Sequence, residues 1–443
     1  MQKNNVQTDR PLKPLLLGLA GYGTVGSGLA RILDENREAI RRRAGRDIRI
    51  KSVLVRDPSR PRQYPLPEGA SFCTEMSCLY DDPELDVVVE LIGGVVNAGE
   101  VIRRSLLAGK HVVTANKALL AEDGKDLFQL AAEKGLYLGY EASVCGGIPV
   151  VQTLRESLAA NRIVTLSGIL NGTCNYILSS MTSKGMSFDA ALKEAQDQGF
   201  AEADPTLDIE GFDAAHKLAL LIRLAWGIHY PFKDLPVSGI SRVAAEDIQF
   251  AREFGYNIKL LGYAQMEGDT LDAGVFPFLV PNSYLLAKVG YSYNAVRIEG
   301  NAVGSVFLHG RGAGDMPTGS AVAADILAIA RGDQPNNLGF CGAELPAAKI
   351  RPPKESRSRY YFRLQVQDKP GVMRDVAAIL AENNISIHQA LQKGLTDVVP
   401  LMFMTHLAKT RDVENALASI AACGFTRAEP VYYRVLPQPN ESD

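Results

Sequence analysis

A short apolar run, LLLGLA at 15–20, leads directly into Gly21, Gly23 and Gly26 in the spacing GxGxxG, and a helical pattern follows at 25–43. Few folds accept that order. A strand, a glycine turn and a helix N-terminus together offer a pyrophosphate close backbone approach, free N–H groups and the positive end of a helix dipole. A merely tight turn is the plainer alternative, and the flanking strand and helix argue against it. Thr24 and Val25, just inside the turn, join the three glycines as candidate phosphate contacts.

A second strand at 48–55 ends at Arg56-Asp57. An acid there takes ribose hydroxyls, whereas an arginine accommodates a 2′-phosphate; Arg56 favours NADP, Asp57 keeps NAD open, and a solvated strand-end charge is the plain alternative. The β-branched run DVVVELI at 86–92, a helix at 98–108 and a short strand at 111–114 continue the alternation. Near-continuous apolar strands alternating with helices predict a doubly wound parallel sheet of Rossmann type. Ligands bind at the carboxyl ends of such strands, which points Gly93, Thr114 and Lys117 at the nicotinamide end of a cofactor.

A chain of 443 residues implies two or three domains, and 46% hydrophobic with 22% charged residues is a globular composition. A net charge of −3 gives no general attraction to nucleic acid or to an anionic membrane. The basic run at 41–46 reads as a solvated helix end. Apolar runs are cut by Glu90 and Arg223, so no stretch reaches membrane-spanning length, and MQKNNVQTDR at the start does not resemble a secretory signal. Cys73, Cys78, Cys145, Cys174, Cys341 and Cys423 form no CxxC pair or metal spacing, so reduced thiols in a cytoplasmic protein are the expectation.

The most unusual charge pattern lies at 195–217, AQDQGFAEADPTLDIEGFDAAHK, where six carboxylates precede a long apolar segment. Asp208 reads as the N-cap of a helix over 209–226. Asp213 and Lys217 are four apart on one face, and Leu220, Leu221 and Leu224 continue that face as an apolar stripe. On a random helix this is a surface pair worth about 0.3–0.5 kcal/mol. Above an apolar stripe, a lysine held by a carboxylate is a positioned proton donor for a developing alkoxide.

With Gly199, Asp204-Pro205, Asp208, Gly211, Asp213 and Lys217 in place, the segment resembles the signature of homoserine dehydrogenase. The resemblance implies interconversion of L-homoserine and L-aspartate 4-semialdehyde with NAD(P), Lys217 and Asp213 being catalytic. It sets Lys117, in TANK, beside cofactor and substrate, as a rival proton donor. It lays Gly172 and Thr173, in NGT before a helix, against an amino-acid substrate; unaided, that turn reads as a carboxylate nest or an ordinary cap. Glu202 and Asp208 then grip the substrate's ammonium or hydroxyl. The loop EASVCGGIP at 141–149 reads as a hinge or as carbonyls suited to a monovalent cation, and the resemblance implies sodium on Glu141, Val144, Gly146 and Ile148.

The glycine-rich HGRGAGDMPTGS at 309–320 lacks the lysine of a phosphate-binding P-loop and reads as the return into the dinucleotide domain before a helix at 321–330, with Gly314 a possible cofactor contact. Residues 334–353 are rich in Pro, Asn and Gly, as linkers are. Beyond them the pattern spells βαββαβ, and the opening DKPGV at 368–372 resembles an ACT domain, implying threonine as effector; a purely assembling tail is the plain alternative.

The resulting expectation is an α/β chain in three parts. A Rossmann domain at 1–140 is completed by 309–333; an α+β substrate and dimerisation domain covers 141–308; a linker at 334–356 leads to a ferredoxin-like ACT domain at 357–443. With no kinase-length segment before Leu15, the resemblance is to the monofunctional form, a cytoplasmic homodimer or homotetramer. Another amino-acid or semialdehyde dehydrogenase of the same plan, or a non-catalytic nicotinamide sensor, are the competing readings.

Overall fold

A computed structural model describes residues 12–333, 337–340, 349–394 and 396–437. The polar start of the chain, much of the linker and Cys341 lie outside the described residues. The chain divides into two compact units, one of Met1–Ala160, Ala219–Pro231 and Gly310–Pro346, the other of Asn161–Leu218, Phe232–His309 and Ala347–Asp443.

The first unit is built on six strands: β1 (Leu15–Ala20), β2 (Ile48–Leu54), β3 (Ser71–Cys73), β4 (Val87–Glu90), β5 (His111–Thr114) and β6 (Leu138–Gly139). They form one parallel sheet in the order β3-β2-β1-β4-β5-β6. The order reverses between β1 and β4, which opens the ligand crevice of a doubly wound sheet there. Leu17, Leu19, Val87 and Val113 are fully buried, as strands covered on both faces require.

Three local expectations are corrected in this unit. The helix read over 25–43 is two helices, Thr24–Glu35 and Arg37–Ala44, broken at Asn36. The return helix is longer than expected, Asp315–Arg331, because Pro317 sits harmlessly in its first turn and Gly319 is a contact, not a loop residue. A Cβ on Gly28 would lie 2.4 Å from the Asp315 carbonyl oxygen, and one on Gly319 2.9 Å from the Leu29 nitrogen. The return helix therefore packs backbone to backbone on the helix that follows the glycine turn. Finally, Cys73 and Cys78 form a disulfide, not two free thiols. The end of β3 and the start of helix Ser77–Tyr80 bring their Cα atoms to 6.7 Å, a proximity that residue spacing does not reveal.

The second unit holds β7 (Ile163–Ile169), β8 (Tyr256–Glu267), β9 (Thr270–Pro281), β10 (Tyr293–Gly300), β11 (Gly304–Arg311), β12 (Lys349–Ile350), β13 (Arg357–Gln367), β14 (Ile387–Gln392), β15 (Val398–Thr405), β16 (Ala408–Lys409) and β17 (Val431–Val435). The path β11-β10-β7-β8-β9-β17-β13-β15-β14 is one mixed sheet, with β12 added to β9 and β16 to β13. From β13 onward, helices Val372–Glu382 and Thr410–Ala421 complete a βαββαβ module. Its last strand pairs in parallel with β9, through Arg434 opposite Phe278, so the tail extends the sheet before it.

Within the same unit, the fully buried carboxylate of Asp247, on helix Ala245–Glu253, accepts from Arg363 Nε at 2.6 Å and Nη2 at 3.2 Å, and from the hydroxyls of Tyr361 and Tyr433.

Candidate functional site

In the first unit, each glycine of the turn has its own physical reason. Gly21 has φ 102°, and a Cβ there would lie 2.9 Å from the Leu91 carbonyl oxygen of the neighbouring strand's end. At Gly26 a Cβ would lie 2.6 Å from the carbonyl oxygen of Gly21. A Cβ on Gly23, by contrast, would meet nothing within 4 Å, and Gly23 is the N-cap of helix Thr24–Glu35 without any side-chain cap. The amides of Thr24, Val25 and Gly26 thus begin a helix beside open space, the arrangement an approaching pyrophosphate needs.

At the end of β2, Arg56 is exposed, while Asp57 is engaged: its carboxylate takes the Ser59 amide at 2.9 Å and hydroxyl at 2.6 Å, which hold it below its ordinary pKa. At the far side of the switch point, Glu90 is wholly buried and was not anticipated from the sequence. One of its oxygens accepts the Ile92 and Gly93 amides, the other the Thr114 hydroxyl at 2.6 Å. Thr114 is therefore turned inward and offers a ligand no hydroxyl, while Gly93, at φ 69°, is held by Glu90 in a glycine conformation. Asn116, also missed, caps helix Lys117–Glu122 and fastens the Gly94 carbonyl at 2.6 Å, so Lys117 opens a capped helix. Gly314, at φ 129°, is the N-cap of helix Asp315–Arg331.

The loop after β6 is buried and irregular. Cys145 and Gly146 are consecutive left-handed residues, at φ 56° and 51°, and the Glu141 side chain accepts the Val151 and Gln152 amides. Consecutive left-handed residues turn successive carbonyls away from helical or sheet directions, as carbonyl ligation of a hard cation requires. Among the described residues no group of three or more His, Cys, Asp or Glu side chains suits a metal ion; of the four carbonyls expected to hold a cation, those of Glu141 and Ile148 accept the Val144 and Val150 amides at 3.3 and 2.8 Å, and those of Val144 and Gly146 complete the set.

In the second unit, the helix read over 209–226 is split. Thr206–Ile209 is a separate short helix, Gly211 turns the chain at φ 87°, and the long helix starts at Phe212. Asp208 consequently lies inside the short helix, not at the cap of the long one. The rest of the signature also has local reasons. Asp204 receives the Thr206 amide and hydroxyl at the start of the short helix, and Gly199, at φ 75°, follows the end of helix Phe188–Asp197.

Lys217 donates from Nζ to Asp213 Oδ2 and to the Leu170 carbonyl, both at 2.7 Å, and the two side chains are 11% and 12% exposed. Leu220, Leu221 and Leu224 below them are buried. Withdrawing both charges from water is costly, and the offset comes from their mutual attraction and from the bonds to Asn171 and the Leu170 carbonyl. Asn171, at the end of β7, donates to Asp208 at 2.7 Å and to Asp213 at 2.8 Å, and caps helix Gly172–Lys184 by accepting the Cys174 amide at 2.8 Å. Asn294, fully buried, shares the Leu170 carbonyl with Lys217 at 3.0 Å. Neither asparagine's role was anticipated; Asn171 before Gly-Thr signalled a carboxylate nest or a cap, not a bridge between acids.

Gly172 and Thr173 form the first turn of that helix. A Cβ on Gly172 would lie 2.8 Å from the Ser292 carbonyl oxygen, and the Thr173 hydroxyl donates to Phe200 O at 2.7 Å. Burial, then the charge of Asp213, raises the pKa of Asp208, against the Asn171 hydrogen bond. Glu202 sits apart on an exposed stretch, where its carbonyl accepts from Gln196. The structure thus joins Asp208, Asp213 and Lys217 in one network and does not bring Glu202 into it.

Family models match in three places: homoserine dehydrogenase at residues 149–327, the homoserine dehydrogenase NAD-binding domain at 21–141, and the ACT domain at 360–425. Homoserine dehydrogenase of Neisseria gonorrhoeae is 44% identical, covering 93% of this chain and 96% of its own. That of Pseudomonas aeruginosa is 42% identical over 96% of this chain and 99% of its own. The solved homoserine dehydrogenase of Thiobacillus denitrificans superposes with a TM-score of 0.91 at 43% identity, over 96% of this chain and 98% of that one. A hyperthermophilic archaeal homoserine dehydrogenase solved in complex with NADPH superposes at 0.61 with 26% identity, over 74% of this chain and all of that one. The Rossmann-type sheet with its glycine turn, the mixed-sheet unit carrying the full signature and the ACT module agree with these matches throughout: the chain belongs to the homoserine dehydrogenase family of NAD(P)-dependent oxidoreductases.

Proposed function

We propose that Lys217 is the proton donor in the reduction of L-aspartate 4-semialdehyde to L-homoserine, and the acceptor in reverse, with Asp213 holding its ammonium in place. The observation that carries this reading is the Asp213–Lys217 pair, nearly withdrawn from water above a leucine stripe, with the second Lys217 hydrogen bond on a main-chain carbonyl. A bound nicotinamide supplies or takes the hydride. The chain must then bind a small zwitterion, orient it and move one proton. The Gly172 and Thr173 amides receive the substrate carboxylate, and Asp208 grips its ammonium or hydroxyl, with Glu202 a second candidate from its exposed stretch. Lys117 is the alternative donor.

NADP is the preferred cofactor in this reading. An exposed Arg56 beside an Asp57 already engaged by Ser59 suits a 2′-phosphate better than a ribose diol, and an archaeal relative is solved with NADPH. Arg56→Ser is expected to raise KM for NADP about tenfold, the worth of a charge-assisted hydrogen bond, and to leave KM for NAD unchanged. Sodium on the carbonyls of Glu141, Val144, Gly146 and Ile148 is supported by the paired left-handed residues of that buried loop.

For the tail, the reading is threonine binding at the start of helix Val372–Glu382, where Gly371 at φ 96° is the N-cap and the Arg374 guanidinium lies beside it. The proposed domains are a cofactor domain at 1–140 completed by 309–333, a substrate and dimerisation domain at 141–308, a linker at 334–356 and a regulatory domain at 357–443, in a cytoplasmic homodimer or homotetramer. Among the described residues no helix is long and apolar enough to cross a membrane. One assay tests the reading: homoserine oxidation followed spectrophotometrically with NAD and with NADP, each with and without threonine and sodium. Turnover is expected to be faster with NADP and reduced by threonine; equal rates with both cofactors, or indifference to threonine, reject those parts.

A further inference from the structure

We propose that Asn171 is a positioning residue for the reaction: its side-chain amide holds the Asp208 and Asp213 carboxylates in fixed register beside the Lys217 ammonium. This rests on the reading of Lys217 and Asp213 given above.

The chemistry of its neighbours determines which way this amide faces. An ionised carboxylate only accepts and a backbone N–H only donates. Asn171 Nδ2 must therefore be the atom at 2.7 Å from Asp208 and 2.8 Å from Asp213, and Oδ1 the atom at 2.8 Å from the Cys174 amide. Asn171 itself is 4% exposed, so water cannot take over these bonds at little cost. Its two N–H groups serve two acids, one of which is paired with Lys217: Asp213 Oδ2 receives Lys217 and Asn171 together. Without a second donor, one of the acids would compete for the lysine and draw it from the Leu170 carbonyl. A neutral amide supplies that donor without adding a positive charge that would weaken the lysine's hold on its proton.

Three features make the residue more than a helix cap. Serine or aspartate would cap helix Gly172–Lys184 equally well, since each offers an oxygen to the Cys174 amide. Only a side chain that accepts on one side and donates twice on the other completes this network. The cap also ties the carboxylates to the Gly172 and Thr173 amides, so the groups proposed for the two ends of the substrate share one rigid anchor. The charged and titratable groups acting on Asp208 are Asp213, Lys217 and Cys174, and Glu210 acts on Cys174 beside it. Burial and Asp213 raise Asp208; the Asn171 hydrogen bond opposes them first, then a Thr173 hydrogen bond and the Lys217 charge. Removing that bond raises it further, so the ionised form is lost at a higher pH than in the wild type.

The test compares Asn171→Ser and Asn171→Asp in the full-length enzyme. Both keep a cap; serine removes the paired donation, and aspartate replaces it with a third negative charge. The expected result is a fall in kcat/KM for homoserine of about tenfold or more for Asn171→Ser, a larger fall for Asn171→Asp, and an acid limb of the pH profile displaced to higher pH in that order. NADPH affinity stays at the wild-type value. Two results overturn the proposal: Asn171→Ser retaining wild-type kcat/KM and acid limb, or both variants losing activity only in proportion to a lowered melting temperature with the acid limb unmoved. Lys217→Ala distinguishes the two levels. If that variant still turns over, the underlying reading has failed; if it is inactive while Asn171→Ser behaves as wild type, only the role of Asn171 has.

Discussion

Lys217→Ala is expected to lower kcat for homoserine oxidation by about 10²–10⁴-fold, the usual worth of a positioned acid or base, while the Kd for NADPH stays within about twofold. In the proposed reading the two outcomes separate, because the lysine is assigned to the substrate's proton and the cofactor's phosphates to the glycine turn in another part of the chain. Truncation also leaves the Asp213 carboxylate, 12% exposed, without its cation, though still hydrogen-bonded to Asn171. Some loss of melting temperature will therefore accompany the loss of rate. Rates should be compared well below the transition, with the NADPH titration as the check that the protein is folded. A parallel collapse of turnover and cofactor affinity would show that a structural residue has been given a chemical role, and undiminished turnover would move the proton to Lys117.

The largest effect on stability is expected for Asp247→Ala, about 3–5 kcal/mol, the cost of breaking a buried ion pair by removing one partner. Asp247 has no exposed surface and satisfies Arg363, Tyr361 and Tyr433 at once. Alanine strands the buried Tyr361 hydroxyl, leaves that of Tyr433 to the Arg242 carbonyl at 3.3 Å, and leaves Arg363 to the more exposed Glu246, at 3.2 Å. At about 2–4 °C per kcal/mol for a unit of this size, calorimetry should record a transition lower by about 10 °C. The pair fastens the βαββαβ tail to helix Ala245–Glu253, so limited proteolysis should begin to release the tail in the variant before it does in the wild type. A loss below about 1 kcal/mol, with the tail equally protected, would mean that the β9–β17 pairing alone holds the module.

What could be read in advance follows the range of the interactions. The parallel sheet was legible because strands covered on both faces are short apolar runs; β4, VVVE, is buried at every position. The βαββαβ tail was legible for a similar reason, its helices and strands alternating over short spans. Residues 236–281 show no clear period in the sequence, although they contain two strands of 12 residues each. β8 is buried on both faces over most of its length, which erases the period-two alternation that marks a strand. The return helix was cut short on reading because proline and glycine, usually signs of a loop, there serve a first turn and a backbone contact.

By itself, the sequence determined the features that depend on residues within a turn or two of each other: the glycine turn between strand and helix, and the Asp213–Lys217 pair above its leucines, because helical and extended periodicities alone decide which side chains share a face. Tertiary structure decided the partners of Asn171 among acids 37 and 42 residues away, Glu90 turned toward Thr114 and the Asp247–Arg363 pair across 116 residues. Each of those contacts needs two separate backbone segments brought to within a few ångströms at a set angle. No local preference carries that distance or that direction; only the packed core supplies both.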